Sequence, residues 1–300
     1  MTARQSIAVI GMGGIGGTVA GCLQEAGRHD VMICSRRPMT EFVLDVPGRV
    51  TWVRLRAATD PADMEPVDWV LLCTKAYDTA STAPWLARLC GPGTRIAVLQ
   101  NGIDQVSRLA PFAAGAGIVP TVVYYNGERL APDHIRLRPA PNRDIAVADD
   151  ADGRAFTALL DGTLLRVSPQ ADFTTVQWRK LLLNAASNPI TALTRRRLAV
   201  LRRDDIRPLC RTVLDEAVAV ACAAGADLAT DEAARIFDAL MAYAPEAGTS
   251  MYFDALEGRR LEADVLTGAI VEAGVKHGIP TPVNRMLLTL LQSLSDAASL

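Results

Sequence analysis

Ser6-Ile7-Ala8-Val9-Ile10-Gly11-Met12-Gly13-Gly14-Ile15-Gly16 decides how this chain folds. Its first five residues are apolar and β-rich without polar alternation, the pattern of a strand buried on both faces of a parallel sheet. The run passes straight into a turn of the form G-x-G-x-x-G. A helical pattern follows, with Val19, Ala20 and Leu23 at helical spacing, ending near Gly27. A second strand over 31–34 comes next. In this strand–turn–helix–strand setting each glycine has its own task. Gly11 permits the tight turn, Gly13 lets backbone approach a pyrophosphate, and Gly16 lets the helix pack closely on the strand. The helix N-terminus adds free N–H groups and the positive end of its dipole. Gly11, Met12, Gly13, Gly14, Ile15 and Gly16 are therefore the expected cofactor loop of a Rossmann-type α/β domain.

Which dinucleotide it takes is read at the end of the second strand. An NAD-selective site usually has Asp or Glu there, bonded to the ribose 2′-OH. This chain has Ser35, Arg36 and Arg37. Arg can accept a 2′-phosphate, so NADP(H) is expected, with Arg36 as the contact. Further buried strands are expected over 67–73, 95–99 and 118–124. The first ends in Thr74-Lys75-Ala76-Tyr77-Asp78, with a helix from Asp78, and the second in Gln100-Asn101-Gly102. Ligands of open parallel sheets lie beyond the carboxyl ends of the strands. Lys75 and Asn101 stand at two such ends and are expected on the cofactor side. Taken singly, the Lys could be a surface residue and the Asn-Gly a turn. Their shared sheet edge favours function.

Composition narrows the function. The chain has 300 residues with a net charge of −2, from 31 Lys plus Arg against 33 Asp plus Glu. That balance and 5% aromatics oppose indiscriminate nucleic-acid binding and base stacking. No uninterrupted apolar run is long enough to span a membrane. Six cysteines show no C-x-x-C pair and no spaced His partners, so no metal site is expected. They read as reduced thiols of a cytoplasmic protein. Val19-Ala20-Gly21-Cys22 imitates a lipoprotein cleavage site, but the signal core would hold five glycines, which suit a turn better.

Residues 128–167 look antiparallel and loop-rich, with Asp149-Asp150-Ala151-Asp152 as a solvated loop and an apolar run over 163–167. After Pro169 strand signals stop. Helices are expected over 172–186, 206–224, 231–242, 261–276 and 283–294, with Asn188-Pro189 breaking or restarting the first. The boundary near 170 divides a dinucleotide domain, 1–170, from an all-helical substrate domain, 171–300, with a ligand cleft expected between them. Lys180, Asn184 and Asn188 fall at i, i+4 and i+8 among Leu and Ala, and form one polar stripe. Ser250-Met251, Asp254, Arg259, Glu262 and Asp264 make a second polar segment, with Glu262 placed to start a helix.

Together these pieces resemble the ketopantoate reductase (2-dehydropantoate 2-reductase) family over nearly the whole chain. The selective parts are Lys180-x-x-x-Asn184-x-x-x-Asn188-Pro189 and Ser250-Met251 with Glu262-x-Asp264. The resemblance implies NADPH-dependent reduction of a 2-oxo acid, 2-dehydropantoate, to pantoate in pantothenate and coenzyme A biosynthesis. It implies that Lys180 is the general acid and Glu262 the carboxylate of the substrate pocket. Asn184, Asn188 and Ser250 match substrate-binding positions, and Arg36, Lys75 and Asn101 match cofactor-side positions. The partners so implied are a small 2-oxo acid and NADP(H), without nucleic acid or membrane, and with room for a homodimer.

Two positions depart from the family. Ala247 and Leu198 stand where relatives often carry substrate-contacting Asn, and Arg195-Arg196-Arg197 with Arg202-Arg203 lie nearby. The alternatives are therefore a paralogous reductase of another 2-oxo acid, or a non-catalytic NADP-binding sensor. A β-hydroxyacid dehydrogenase would also use Lys-x-x-x-Asn, but with a glycine-rich approach that residues 171–179 lack.

Overall fold

Alternation along β1 (Ser6–Ile10) sends Ile7 and Val9 into one apolar layer and Ala8 and Ile10 into another. The strand is thus buried on both faces, as its unbroken hydrophobic run predicts. Burial of Ile7, Val9 and Ile10 is worth about 1.5–3 kcal/mol each. The computed structural model describes residues 3–37 and 39–297. They divide into two units. One takes in the chain through Asn101 and then 105–173; the other takes in 102–104 and the chain from Thr174 onward.

In the first unit β1 is followed by α1 (Gly14–Ala26), β2 (Asp30–Cys34), β3 (Glu41–Val46), β4 (Arg49–Arg54) and β5 (Arg56–Ala58). Then come β6 (Trp69–Leu72), α2 (Ala83–Leu89), β7 (Arg95–Val98), α3 (Gln105–Leu109) and β8 (Gly117–Val123). The unit closes with β9 (Asn126–Ala131), β10 (His134–Arg138), β11 (Ile145–Ala148), α4 (Ala151–Leu159) and β12 (Val167–Gln170). Eight strands form one sheet in the order β12-β11-β8-β7-β6-β1-β2-β5. Every neighbouring pair from β5 to β8 is parallel, and only β8–β11 is antiparallel. This is a Rossmann-type sheet. The chain runs from β1 outward to β2, then returns to β6 on the other flank, so the direction of winding switches beside β1.

A second sheet, in the order β4-β3-β10-β9, covers the outer side of α1. The helix meets it through small residues three and four apart. A Cβ at Gly14 would overlap the carbonyl of Gly127, one at Gly17 would overlap Ile135, and one at Gly21 would crowd Leu44 and Phe42. The antiparallel texture expected from 128 onward is met by the β9–β10 pair, but β3, β4 and β5 were not expected. The strands of this sheet are half-exposed, and β4 shows Val50 and Trp52 to solvent, so they lack the buried-run signature.

Other expectations need correction. The acidic run is not a free loop: Asp150 caps α4 by accepting from the Gly153 N–H at 2.8 Å, and Asp152 pairs with Arg95 at 2.7 Å. The run over 163–167 is mostly turn; the strand begins at Val167. A 3₁₀ segment, Ala76–Thr82, precedes α2 where one helix was expected, and Pro84 sits in the first turn of α2.

The second unit is helical, as expected. It holds α5 (Phe173–Thr194), a 3₁₀ turn (Leu198–Arg202), α6 (Arg207–Ala223), α7 (Glu232–Ala242), α8 (Ser250–Leu256), α9 (Ala269–His277) and α10 (Pro282–Ala297). One apolar cluster, including Leu182, Leu214, Ile270 and Leu291, joins them. Asn188-Pro189 does not break α5, which runs through both. Pro189 removes one helical N–H, but side chains bridge the neighbouring turns: Ser187 Oγ donates to the Leu183 carbonyl and Thr191 Oγ1 to the Ser187 carbonyl. The helix expected over 261–276 is found from Ala263 to His277, with its first turn widened into a π-turn, Asp264–Gly268, that leads into α9. The short helix α8 escaped notice because its polar residues look like a loop. Glu216 of α6 caps α10, accepting from the N–H groups of Val283 and Asn284 at 2.9 and 3.0 Å.

The Gly14 contact yields a test. Gly14→Ala forces its methyl group into Gly127 backbone, and should destabilise by about 1–3 kcal/mol in urea unfolding. Gly13→Ala, whose Cβ meets nothing within 4 Å, should leave the midpoint unchanged.

Candidate active site

The winding switch beside β1 marks where an open α/β sheet holds its ligand. There Gly11 turns the chain with φ +100°, and its Cβ position is occupied by the backbone of Thr74, so glycine is required twice over. Gly16 is required for another reason: a Cβ would overlap the Gly11 carbonyl and crowd Cys73. Gly13 is the exception, with open space in front of it. That cradle fits a pyrophosphate, which would lie against bare backbone at the amino end of α1. Met12 and Ile15 pack against the α1-side core. A side chain at Gly14 would meet the Gly127 backbone. Tyr125, buried before β9, donates its hydroxyl to the Ile15 carbonyl at 2.9 Å and pins the first turn of α1.

The other residues expected on the cofactor side stand at the same sheet edge. Arg36 is exposed beyond the carboxyl end of β2, while Ser35 turns its hydroxyl onto the Arg37 carbonyl. Lys75 follows β6 and Asn101 follows β7, both half-buried. Between them lies a residue the sequence reading quoted but gave no role. Gln100, 6% exposed, donates its amide to Thr74 Oγ1 at 3.0 Å and accepts from Thr79 Oγ1 at 3.2 Å. Gln105 in turn donates to the Gln100 carbonyl, and Arg108 to the Asn101 carbonyl at 3.1 Å. This network couples the loops after β6 and β7. A buried Gln inside an otherwise apolar strand end was the available signal.

In the second unit α5 carries Lys180, Asn184 and Asn188 on one face, since the helix continues through Pro189. Asn188 is buried, and Lys180 and Asn184 are half-buried. Burial lowers the Lys180 ammonium from its usual range to about 8. The helix is anchored next to that lysine. Arg179 grips Glu232 of α7 with two hydrogen bonds, Nε to Oε1 at 2.7 Å and Nη2 to Oε2 at 3.2 Å. The guanidinium holds the buried Glu232 carboxyl below the usual carboxylate range.

Ser250 opens α8 and is exposed. Its neighbour Thr249 caps that helix and shares a 2.8 Å hydrogen bond with Thr191 of α5, which ties the Ser250 segment to the turn after Asn188. Glu262 does not lie on an exposed first turn. It is 6% exposed and immediately precedes the π-turn, a distortion that recurs at functional sites. The remaining residues of that polar segment have structural work. Asp254 accepts from Arg259 Nε at 2.9 Å, and Asp264 accepts from Gln292 at 2.9 Å. Among the described residues no His, Cys, Asp and Glu cluster could hold a metal ion.

A family model described as ketopantoate reductase PanE/ApbA matches residues 7–149, and its C-terminal counterpart matches residues 172–295. The chain belongs to this family. It is an oxidoreductase of the class that acts on a CH–OH group. A 2-dehydropantoate 2-reductase of Caulobacter vibrioides is 38% identical over 288 residues, 96% of this chain and 98% of that protein. The PanE/ApbA family ketopantoate reductase of Ralstonia eutropha superposes with a TM-score of 0.89 at 29% identity, covering 98% and 100% of the two chains. The dimeric ketopantoate reductase of Staphylococcus aureus gives 0.86 at 26% identity, covering 98% and 99%. No described helix of this family member is long and apolar enough to cross a membrane.

The Arg179–Glu232 clamp is open to test. Glu232→Gln should lower stability by about 1–3 kcal/mol, the cost of a charged hydrogen bond left half-made. Because the folded carboxyl titrates low, the wild type keeps this contribution above the ordinary carboxylate range and loses it as pH falls through the lowered value. Urea unfolding from pH 7 to 3 should therefore show the two proteins converging on acidification.

Proposed function

We propose that this ketopantoate reductase homologue reduces 2-dehydropantoate to pantoate with NADPH, and that Lys180 is the acid. Residues 1–170 would form the dinucleotide domain and 171–300 the substrate domain. The observation that carries the reading is a desolvated lysine, with its ammonium at about 8, on one helix face with two amides. When bound, the reduced dinucleotide supplies the hydride. As the carbonyl carbon of the 2-oxo acid is reduced, the carbon–oxygen π pair moves onto oxygen as a developing alkoxide. Lys180 Nζ donates a hydrogen bond to that oxygen and passes it a proton, leaving a neutral amine that solvent re-protonates. Help of this kind is worth about 10²–10⁴-fold. The lowered ammonium brings the donor close to neutral pH, where transfer is least hindered.

Asn184, Asn188 and Ser250 offer neutral hydrogen bonds to the substrate carboxylate and hydroxyl, and Glu262 accepts from a substrate hydroxyl or orients Lys180. On the cofactor side Gly13 and the amino end of α1 would take the pyrophosphate, Arg36 the 2′-phosphate, and Lys75 and Asn101 the rest of the dinucleotide. The setting we propose is cytoplasmic, and the assembly a homodimer.

A specific observation favours one variation on this reading. Leu198 N–H donates to the Ala247 carbonyl at 2.9 Å, so the two positions that depart from the family pattern lie side by side. Leu198 is buried in the helical core. Loss of two neighbouring amides suits a less hydroxylated 2-oxo acid.

The test is NADPH oxidation with a panel of 2-oxo acids led by 2-dehydropantoate. Rapid turnover of 2-dehydropantoate that drops by about 10²–10⁴-fold in Lys180→Ala supports the proposal. Lys180-dependent turnover of another member instead would make the chain a paralogue, and binding of NADPH without consumption would mark a sensor. In the active enzyme kcat/KM for reduction should be level below pH 8 and decline above it, as Lys180 loses its proton. Separately, Arg36→Ala should raise KM for NADPH about tenfold and leave KM for NADH unchanged, since only the former carries the 2′-phosphate.

A further inference from the structure

The helical unit carries a concave feature that Lys180, Asn184, Asn188, Ser250 and Glu262 do not line. A depression of about 420 Å³ opens where α5 ends, lined by Arg195, Arg196, Arg197, Arg203, Tyr252 and two small apolar residues. We propose that this depression is an anion-binding site for a small phosphate ester or polyphosphate, separate from the dinucleotide loop. The inference stands on the second unit alone and holds whichever reading of the reaction is right.

Three observations carry it. First, two of the four guanidinium groups are held in place. Arg203 forms a two-point pair with Asp205 at 2.9 and 2.7 Å. Arg197 lies over the rings of Tyr252 and Phe253, 5.8 and 6.0 Å from their centroids, and donates to the Glu246 carbonyl at 2.6 Å. Second, the side chains of Arg195 and Arg196 form no hydrogen bond or ion pair with any described residue, and no acid lines the depression. Third, Arg195 occupies a position that favours glycine. Its φ is +52°, its N–H donates to the Ala192 carbonyl and the Arg196 N–H to the Thr191 carbonyl. That paired closure ends many helices, with glycine as the usual left-handed residue. Arginine there sacrifices about 1 kcal/mol of backbone ease.

A solvated helix end explains less of this. The negative end of the α5 dipole attracts cations within its last turn, which would account for Arg195. It does not account for Arg197 and Arg203 converging on the same depression, nor for three guanidinium groups without an acidic partner among the described residues gathered beside the Asp205-paired Arg203. One fixed guanidinium, Arg197, and two unpaired ones, Arg195 and Arg196, match a ligand with several anionic oxygens. An anion here would also bear on α8, since Tyr252 lines the depression and Ser250 opens the same helix. Along α5 Arg195 lies seven residues beyond Asn188, about 10 Å, too far for a small 2-oxo acid to reach both.

The experiment is calorimetric titration of the full chain with inorganic pyrophosphate, with and without saturating NADPH, for the wild type, Arg195→Gly and the double variant with Arg196→Ala. Thermal unfolding runs in parallel. The expected result is saturable binding of one anion per chain that persists with NADPH present. It should weaken about tenfold or more on each arginine removed and fall with added salt. Arg195→Gly should keep or raise the melting temperature, which separates loss of binding from loss of fold. Three results would overturn the proposal: no saturable binding, binding unchanged in the double variant, or binding abolished by NADPH, which would place the anion at the glycine loop.

Discussion

Backbone meeting backbone around the amino end of α1 is the constraint on which the first unit depends. Gly16 rests on Gly11, Gly11 rests on the strand end at Cys73 and Thr74, and Gly14 meets Gly127 from the second sheet. No side chain fits at any of these contacts. The helix is thereby held between two sheets with its first turn fixed, and Tyr125 secures the Ile15 carbonyl from the same side. Gly13 alone faces open space. The cradle proposed for the dinucleotide is thus what remains after three of the four glycines have served packing, and the Gln100 network ties together the loops after β6 and β7.

In the second unit the proposed chemistry sets a different physical problem, which is to keep a proton available on a desolvated amine. The chain contains 31 Lys plus Arg, yet only three are lysine: Lys75, Lys180 and Lys276. Arginine stays charged under all ordinary conditions, whereas lysine shifts readily when buried. A chain that uses arginine nearly everywhere keeps lysine at two positions of the candidate site. Lys180 follows Arg179, whose guanidinium is held by Glu232. Burial lowers it to about 8.

Much of this was legible in residues 6–36, because a buried strand, a glycine turn and a helix carry periodicities that tertiary contacts reinforce. The Lys180, Asn184, Asn188 stripe was legible too, although the expected break at Pro189 was not found. Local rules oppose proline within a helix, but hydroxyls at Ser187 and Thr191 bridge the neighbouring turns. The second sheet was hidden because its strands are half-exposed and owe their placement to small residues on α1. Glu262 read as a first-turn carboxylate; its burial next to a π-turn depends on packing that no spacing reveals. Gln100 was in plain view within a motif, but its role lies in side-chain contacts across two loops.

The scarcity of lysine makes the central claim directly measurable. In protein labelled with ¹⁵N-lysine, only three side-chain amines report, and Lys180→Ala assigns one of them. The account predicts that this signal titrates with a midpoint near 8. A Lys180 midpoint at 10 or above would mean that the amine is solvated as any surface lysine is, and would contradict a tuned acid on α5.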